Sequence, residues 1–251
     1  PYVSGEGTGF EPYNLRRLFH ETPFGLIGCL TTGLIQGAFL GFGAVFAGRI
    51  GLSDEKVPAF MTGALLAGAL VQFPLGWISD RFDRRSVVAM TSVVVGSGAL
   101  CVALLLEAVG NPTWVILLAM AIGGIAAMPL YSVVIAHVND RLPESSIVPA
   151  AATLILSFSI GSAIAGSIAS VSIDLYGAAG IYVFFGFTLL AFGIFSVFRV
   201  TRRDAPEHSG DGGVFAATPI MTPFDTEFDE NQLGFEFDAD ETGQDGETRT
   251  A

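Results

Sequence analysis

The chain has 251 residues, of which 51% are hydrophobic, only 14% are charged and 31 are glycine. Soluble domains usually carry about 25% charged residues, and here the apolar residues lie in long uncharged runs, so an ordinary water-soluble globule is excluded. The net charge of −12 does not describe the apolar part: residues 1–203 carry 11 basic and 11 acidic side chains, while 204–251 hold 13 acids and one Arg.

Residues 1–22 are polar and Gly-rich, include Arg16 and Arg17, and read as a cytoplasmic linker. The first 20 residues lack the apolar core of a secretory signal. Six apolar stretches follow within a transmembrane domain at 23–203. They cover about 24–48, 57–79, 86–109, 113–136, 147–173 and 178–198. Each is long enough to cross a hydrocarbon core about 30 Å thick at about 1.5 Å per residue. The expected fold class is all-α, a polytopic membrane protein with six transmembrane helices.

The first stretch places Gln36 at its centre, near Thr32 and Phe39. An amide exposed to lipid there is costly, so Gln36 is expected to face a helix or a cavity. Gly37 and Gly41 form a G-x-x-x-G pair suited to close helix contact. The second stretch contains Gln72 and Pro74 and ends in Gly76-Trp77-Ile78-Ser79-Asp80-Arg81-Phe82-Asp83-Arg84-Arg85. The third has Glu107 near its far end. The fourth carries Met128, Pro129 and Tyr131 and runs into His137-Val138-Asn139-Asp140-Arg141. Pro74 and Pro129 are expected to kink their helices. The fifth has Ser157, Ser159 and Ser162, expected to pack, and Gly161 and Ala165 at small-x-x-x-small spacing. Asp174 lies near its outer end.

Beyond 203 the Gly, Thr, Pro, Asp and Glu content cannot bury enough apolar surface to fold. Residues 204–251 therefore read as a disordered acidic cytoplasmic tail. Its alternative use is a docking segment for a basic partner.

Lys and Arg concentrate in loops that stay in the cytoplasm. Arg81, Arg84 and Arg85 in the second loop, Arg141 in the fourth and Arg199, Arg202 and Arg203 after the last stretch share one side; Arg49 and Lys56 lie on the other. Both termini are therefore expected in the cytoplasm, in a multi-pass protein of the cytoplasmic membrane.

Chemistry-bearing constellations are few. Cys29 and Cys101 both fall inside spans and offer neither a disulfide framework nor metal spacing. His20, His137 and His208 lie outside the span centres, where an intramembrane hydrolase would need its base. No phosphate-binding loop of the G-x-x-x-x-G-K-S/T type is present, and no basic, aromatic-rich surface points to nucleic acid. An enzyme is not expected, nor a cofactor or metal.

The second loop resembles the signature of the major facilitator superfamily, roughly G-x-x-x-D-R-x-G-R-R/K, through Gly76, Asp80, Arg81, Arg84 and Arg85. Asp83 stands where that family usually has Gly, and Asp enters left-handed backbone more easily than most residues. The resemblance implies that this loop is a cytoplasmic gate. It also implies a second, echoing cluster at Asn139, Asp140 and Arg141, and a fold of two three-helix units related as inverted repeats. It implies that the first and fourth helices line a solute cavity, which makes Thr32, Gln36, Phe39, Met128 and Tyr131 candidate lining residues, with Gln72 less favoured. Family members have twelve helices, so this chain is most similar to a C-terminal six-helix half. The implied function is secondary transport or facilitation of a small solute by alternating access. The implied partners are the bilayer, the solute and a second six-helix half, in the same longer chain or as a dimer mate. The alternative is a non-transporting scaffold or regulatory subunit acting through the acidic tail.

Overall fold

A computed structural model describes residues 22–142 and 144–202, except the side chains of residues 144, 145 and 200–202. The acidic tail and nearly all of the linker, with Arg16, Arg17, His20 and His208, lie outside the described residues.

Seven α-helices and one 3-10 turn make up the described residues: α1 Pro23–Arg49, α2 Lys56–Arg81, α3 Arg84–Val109, α4 Thr113–Ala127, α5 Pro129–Asn139, α6 Glu144–Tyr176, the turn Gly177–Ala179, and α7 Gly180–Arg202. Pro23 begins α1, where its missing N–H would have had no helical partner anyway. Pro129 has the same role at the start of α5, and it is why α4 stops at Ala127. α2, by contrast, runs unbroken through Pro74. The two prolines therefore act differently: only Pro129 interrupts its helix. The α6–α7 reversal depends on Gly177, whose φ of +60° is strained for any residue with a side chain. There the Ser172 hydroxyl donates to the Gly180 carbonyl at 2.7 Å and fixes the fold-back.

Between helices in lipid, close packing replaces the hydrophobic drive, and small residues let backbones approach. α1 lies parallel to α6. A side chain at Gly33 would strike the Phe158 carbonyl, one at Gly37 would strike Ser162, and one at Gly161 would strike the Leu30 carbonyl. The working pair on α1 is thus Gly33 and Gly37. Gly41 has no atom within 4 Å of where its side chain would be, so the expected Gly37–Gly41 pairing does not form. α2 runs parallel to α4 and α5 in the same manner, with Gly124 against Ala64 and Gly68 against Gly124 and Met128. α3 and α7 are antiparallel, with Gly96 against Leu189, Gly186 against Leu100 and Gly193 against Val93. Exchanging the first three helical segments with the last three turns the α1–α6 contact into the α4–α2 contact and returns α3–α7 to itself.

The core between these pairs is aromatic. Tyr182 is buried, its ring edge-on to Phe46 at 5.0 Å, and its hydroxyl donates to the Ala119 carbonyl at 2.7 Å. The outward surface is equally apolar: Phe73 is 85% exposed and Leu70 74%. Among the described residues, five helical stretches are long and apolar enough to cross a membrane. The last of them, Ser146–Arg199, has 54 residues, more than twice one crossing, and it is divided at the Gly177 turn. The protein is an all-α, polytopic membrane protein.

Candidate functional site: a charged cluster and an open groove

The end of α2, the start of α3 and the end of α5 meet at one end of the bundle. Asp83 caps α3: its carboxylate accepts from the Ser86 N–H at 3.3 Å and the Ser86 hydroxyl at 3.1 Å. This satisfies an otherwise orphaned amide at the helix start. Its φ is −57°, so the position needs neither glycine nor left-handed backbone. The residue that departs from the resemblance thus has a local function of its own, and the left-handed conformation anticipated for it does not occur.

Capping turns Arg84 and Arg85 in different directions. Arg84 sits between two carboxylates, with one terminal nitrogen 3.2 Å from Asp80 and its Nε 2.7 Å from Asp140. Asp80 lies in the last turn of α2 and Arg84 is the first residue of α3, so the short turn through Phe82 and Asp83 folds the two together. Asp140 comes from the far end of α5 and ties the second cluster to the first. The Asp80 side chain is 59% exposed and that of Asp140 47%, whereas that of Arg84 is only 13%. The carboxylates therefore face outward and the cation is held in. Within this bundle Asp80 pairs with Arg84.

Arg85 points inward. It is 5% exposed, and its Nε–H donates to His137 Nε2 at 3.4 Å. His137, 4% exposed, also receives the Phe24 ring edge-to-face at 4.8 Å. As an acceptor at Nε2, the imidazole is neutral there, with its proton on Nδ1. His137 lies outside the span centres in the sequence, yet the structure buries it. Arg81 lies over the Trp77 ring, 3.8 Å from its centroid, a cation–π contact on the exposed side. In the second cluster Asn139 and Asp140 are exposed, and the Arg141 N–H turns back to the Val138 carbonyl at 3.0 Å.

Beside the cluster α2 is open. Nothing lies within 4 Å of where a Gly76 side chain would be. Among the described residues Gly76 thus has no close neighbour. A groove of about 590 Å³ runs along this face, lined by Gln72, Phe73, Gly76, Trp77, Asp80 and Ser132, among others.

The candidate lining residues divide into two sets. Gln36, Met128 and Tyr131 come together at the α4–α5 break: the Gln36 amide nitrogen is 3.8 Å from the Met128 sulfur. Tyr131 meets the Phe158 ring edge-on at 5.1 Å. All three are half-buried. Thr32 and Phe39 are instead sealed in the bundle core, at 2% and 1% exposure. The Thr32 hydroxyl donates to its own helix at Gly28 and Cys29. Of the fifth-stretch serines, Ser157 donates across to the Leu26 carbonyl at 2.9 Å. Ser159 is exposed and does not pack inward.

A family model of the Major Facilitator Superfamily matches residues 25–226, most of the chain. The chain belongs to the major facilitator superfamily. Among curated relatives, an uncharacterized MFS-type transporter of Enterobacter sp. (strain 638) is 27% identical over 192 residues, 76% of this chain and 47% of its own length. The uncharacterized MFS-type transporter YcaD of Salmonella paratyphi B is 28% identical over 156 residues, 62% of this chain and 39% of its own. This MFS chain thus spans about half, or less, of the length of the relatives it matches. No solved structure matches it.

Proposed function

We propose that this chain is one six-crossing half of a secondary transporter or facilitator that moves a small solute across the cytoplasmic membrane by alternating access. A second six-helix half completes it. Both termini and the Asp80–Asp140 cluster lie on the cytoplasmic side, as the Arg distribution suggests. The reading rests most on one observation: Arg84 is held between Asp80 and Asp140 directly beside an α2 face left open at Gly76. When the second half closes on that face, the outward carboxylates have new partners. When it withdraws, they return to Arg84. Exposed ion pairs are each worth only about 0.2–1 kcal/mol, so they can exchange partners without trapping either state. The paired arrangement of α1 with α6 and α4 with α2 supports an inverted repeat, the architecture that allows one bundle to rock against another.

The test is solute uptake into vesicles by the wild-type protein and by Asp80→Asn. Loss of most uptake with unchanged membrane insertion supports the gate. Wild-type uptake by Asp80→Asn contradicts it.

A further inference from the structure

We infer that the open face formed by α1, α2 and α5 recognises an uncharged solute bearing hydrogen-bond groups, and that Gln36, Gln72 and Ser132 read it. The inference deepens the transporter reading and rests on it.

The starting point is a set of polar groups without adequate protein partners. Gln36 is near the middle of the 27-residue α1, and its amide reaches only a thioether at 3.8 Å, a weak acceptor. The Gln72 amide and the Tyr131 hydroxyl make no hydrogen bond with any described residue. Gln72 is nine residues from the end of α2, about 13 Å along the axis at 1.5 Å per residue, which is well inside the bilayer. Ser132 donates to the Pro129 carbonyl at 2.8 Å, and its oxygen lone pairs remain able to accept. Amides facing hydrocarbon at that depth would lose several kcal/mol each. A face that keeps them half-exposed is therefore one that meets water, solute or another protein surface.

The second observation is the charge on this face. The groove holding Gln72 and Ser132 has a volume of about 590 Å³, within the range of roughly 300–1,000 Å³ typical of small-molecule sites. Its one ionised lining residue is Asp80, at the end, which shares Arg84 with Asp140. At the depth of Gln72, eight residues along α2 from Asp80, the lining holds no ionised side chain, so a charged solute there would lose its hydration uncompensated. In the groove a neutral solute with hydroxyl or amide groups meets the Gln72 amide and the Ser132 hydroxyl, able to donate or accept, with Phe73 offering an apolar wall. Sites built from such groups discriminate by hydrogen bonding, because a mismatched solute leaves them unpaired.

The experiment uses the protein at the length its own cells make, in proteoliposomes, with counterflow of a mixed panel of neutral polyols, sugars and nucleosides, carboxylates, and amines. The expected result is exchange of a neutral solute. For that solute Gln36→Leu and Gln72→Leu each raise KM about tenfold with kcat within about twofold, and the conservative Gln72→Asn raises KM less. The KM-against-kcat split separates recognition from misfolding, which would lower kcat alike in all three. Exchange of charged solutes only would overturn the inference and leave the transporter reading standing. Exchange of a neutral solute with KM unchanged in every variant would overturn the residue assignment. No exchange of any solute would overturn the transporter reading, and this inference with it.

Discussion

Arg84, at the start of α3, holds Asp140, at the end of α5, through a contact of 2.7 Å between Nε and the carboxylate. Two loops 50 or more residues apart in sequence are joined by one guanidinium, which at the same time binds Asp80 across the turn from α2 to α3. The three side chains act as a unit, so their single mutations will not add. In thermal unfolding of purified protein, a double-mutant cycle of Arg84→Ala and Asp140→Ala should return a coupling of about 0.5–1 kcal/mol. Strict additivity would mean that the pair contributes nothing.

Arg85 and His137 are a different case because both are buried. Removing the imidazole in His137→Leu takes an acceptor away from a buried guanidinium, with an expected loss of about 1–3 kcal/mol. His137→Gln, which keeps an acceptor, should lose less. Unfolding temperatures of the two variants check the order. Equal stability of both would show that the hydrogen bond is unimportant and that only the packing against Phe24 counts.

Glycines on this fold are not equivalent. Gly33→Ala and Gly124→Ala each drive a methyl group onto a backbone carbonyl, of Phe158 and Ala64 respectively. Backbone cannot swing aside as a flexible side chain can, so each should destabilise by about 1–3 kcal/mol or more. Gly76→Ala and Gly41→Ala meet no atom of the bundle and should leave its unfolding temperature unchanged or slightly raised, since Ala favours helix by up to about 1 kcal/mol over Gly. Transport then separates these two: a second half closing on α2 would make Gly76→Leu inactive in uptake while it remains normally inserted.

Tyr182→Phe removes one buried hydroxyl and keeps the ring packed against Phe46. The Ala119 carbonyl loses a partner to α7, and an expected loss of about 1 kcal/mol follows. Unfolding of the purified variant measures it.

Much of the fold is written in hydropathy, because a long uncharged stretch permits few structures other than a membrane helix. The position of Gly76, Asp80 and the arginines was equally legible as a charged turn after α2. What could not be read was which way each arginine turns. Arg84 and Arg85 are adjacent and chemically identical, yet one faces two carboxylates and the other is buried on His137. The 100° rotation per residue of a helix separates them, and only the position of α5 says what each will meet. The same holds for α1: Thr32, Gln36 and Phe39 are close in sequence, but Gln36 alone is half-buried while the other two are sealed in the core. The Gly33–Gly37 pair was hidden for a related reason, since Gly37–Gly41 shows the same spacing and only the position of α6 chooses between them.

Alternating access is the central claim, and the accessibility of Gln36 from each side of the membrane tests it most directly. In a background with Cys29 and Cys101 replaced by Ala, Gln36→Cys would be treated with a membrane-impermeant thiol reagent from the cytoplasmic and then the outer side of oriented vesicles. Labelling from both sides, in proportions that shift when transported solute is added, is the predicted result. A thiol reachable from one side only, or from neither, under all conditions would contradict the account.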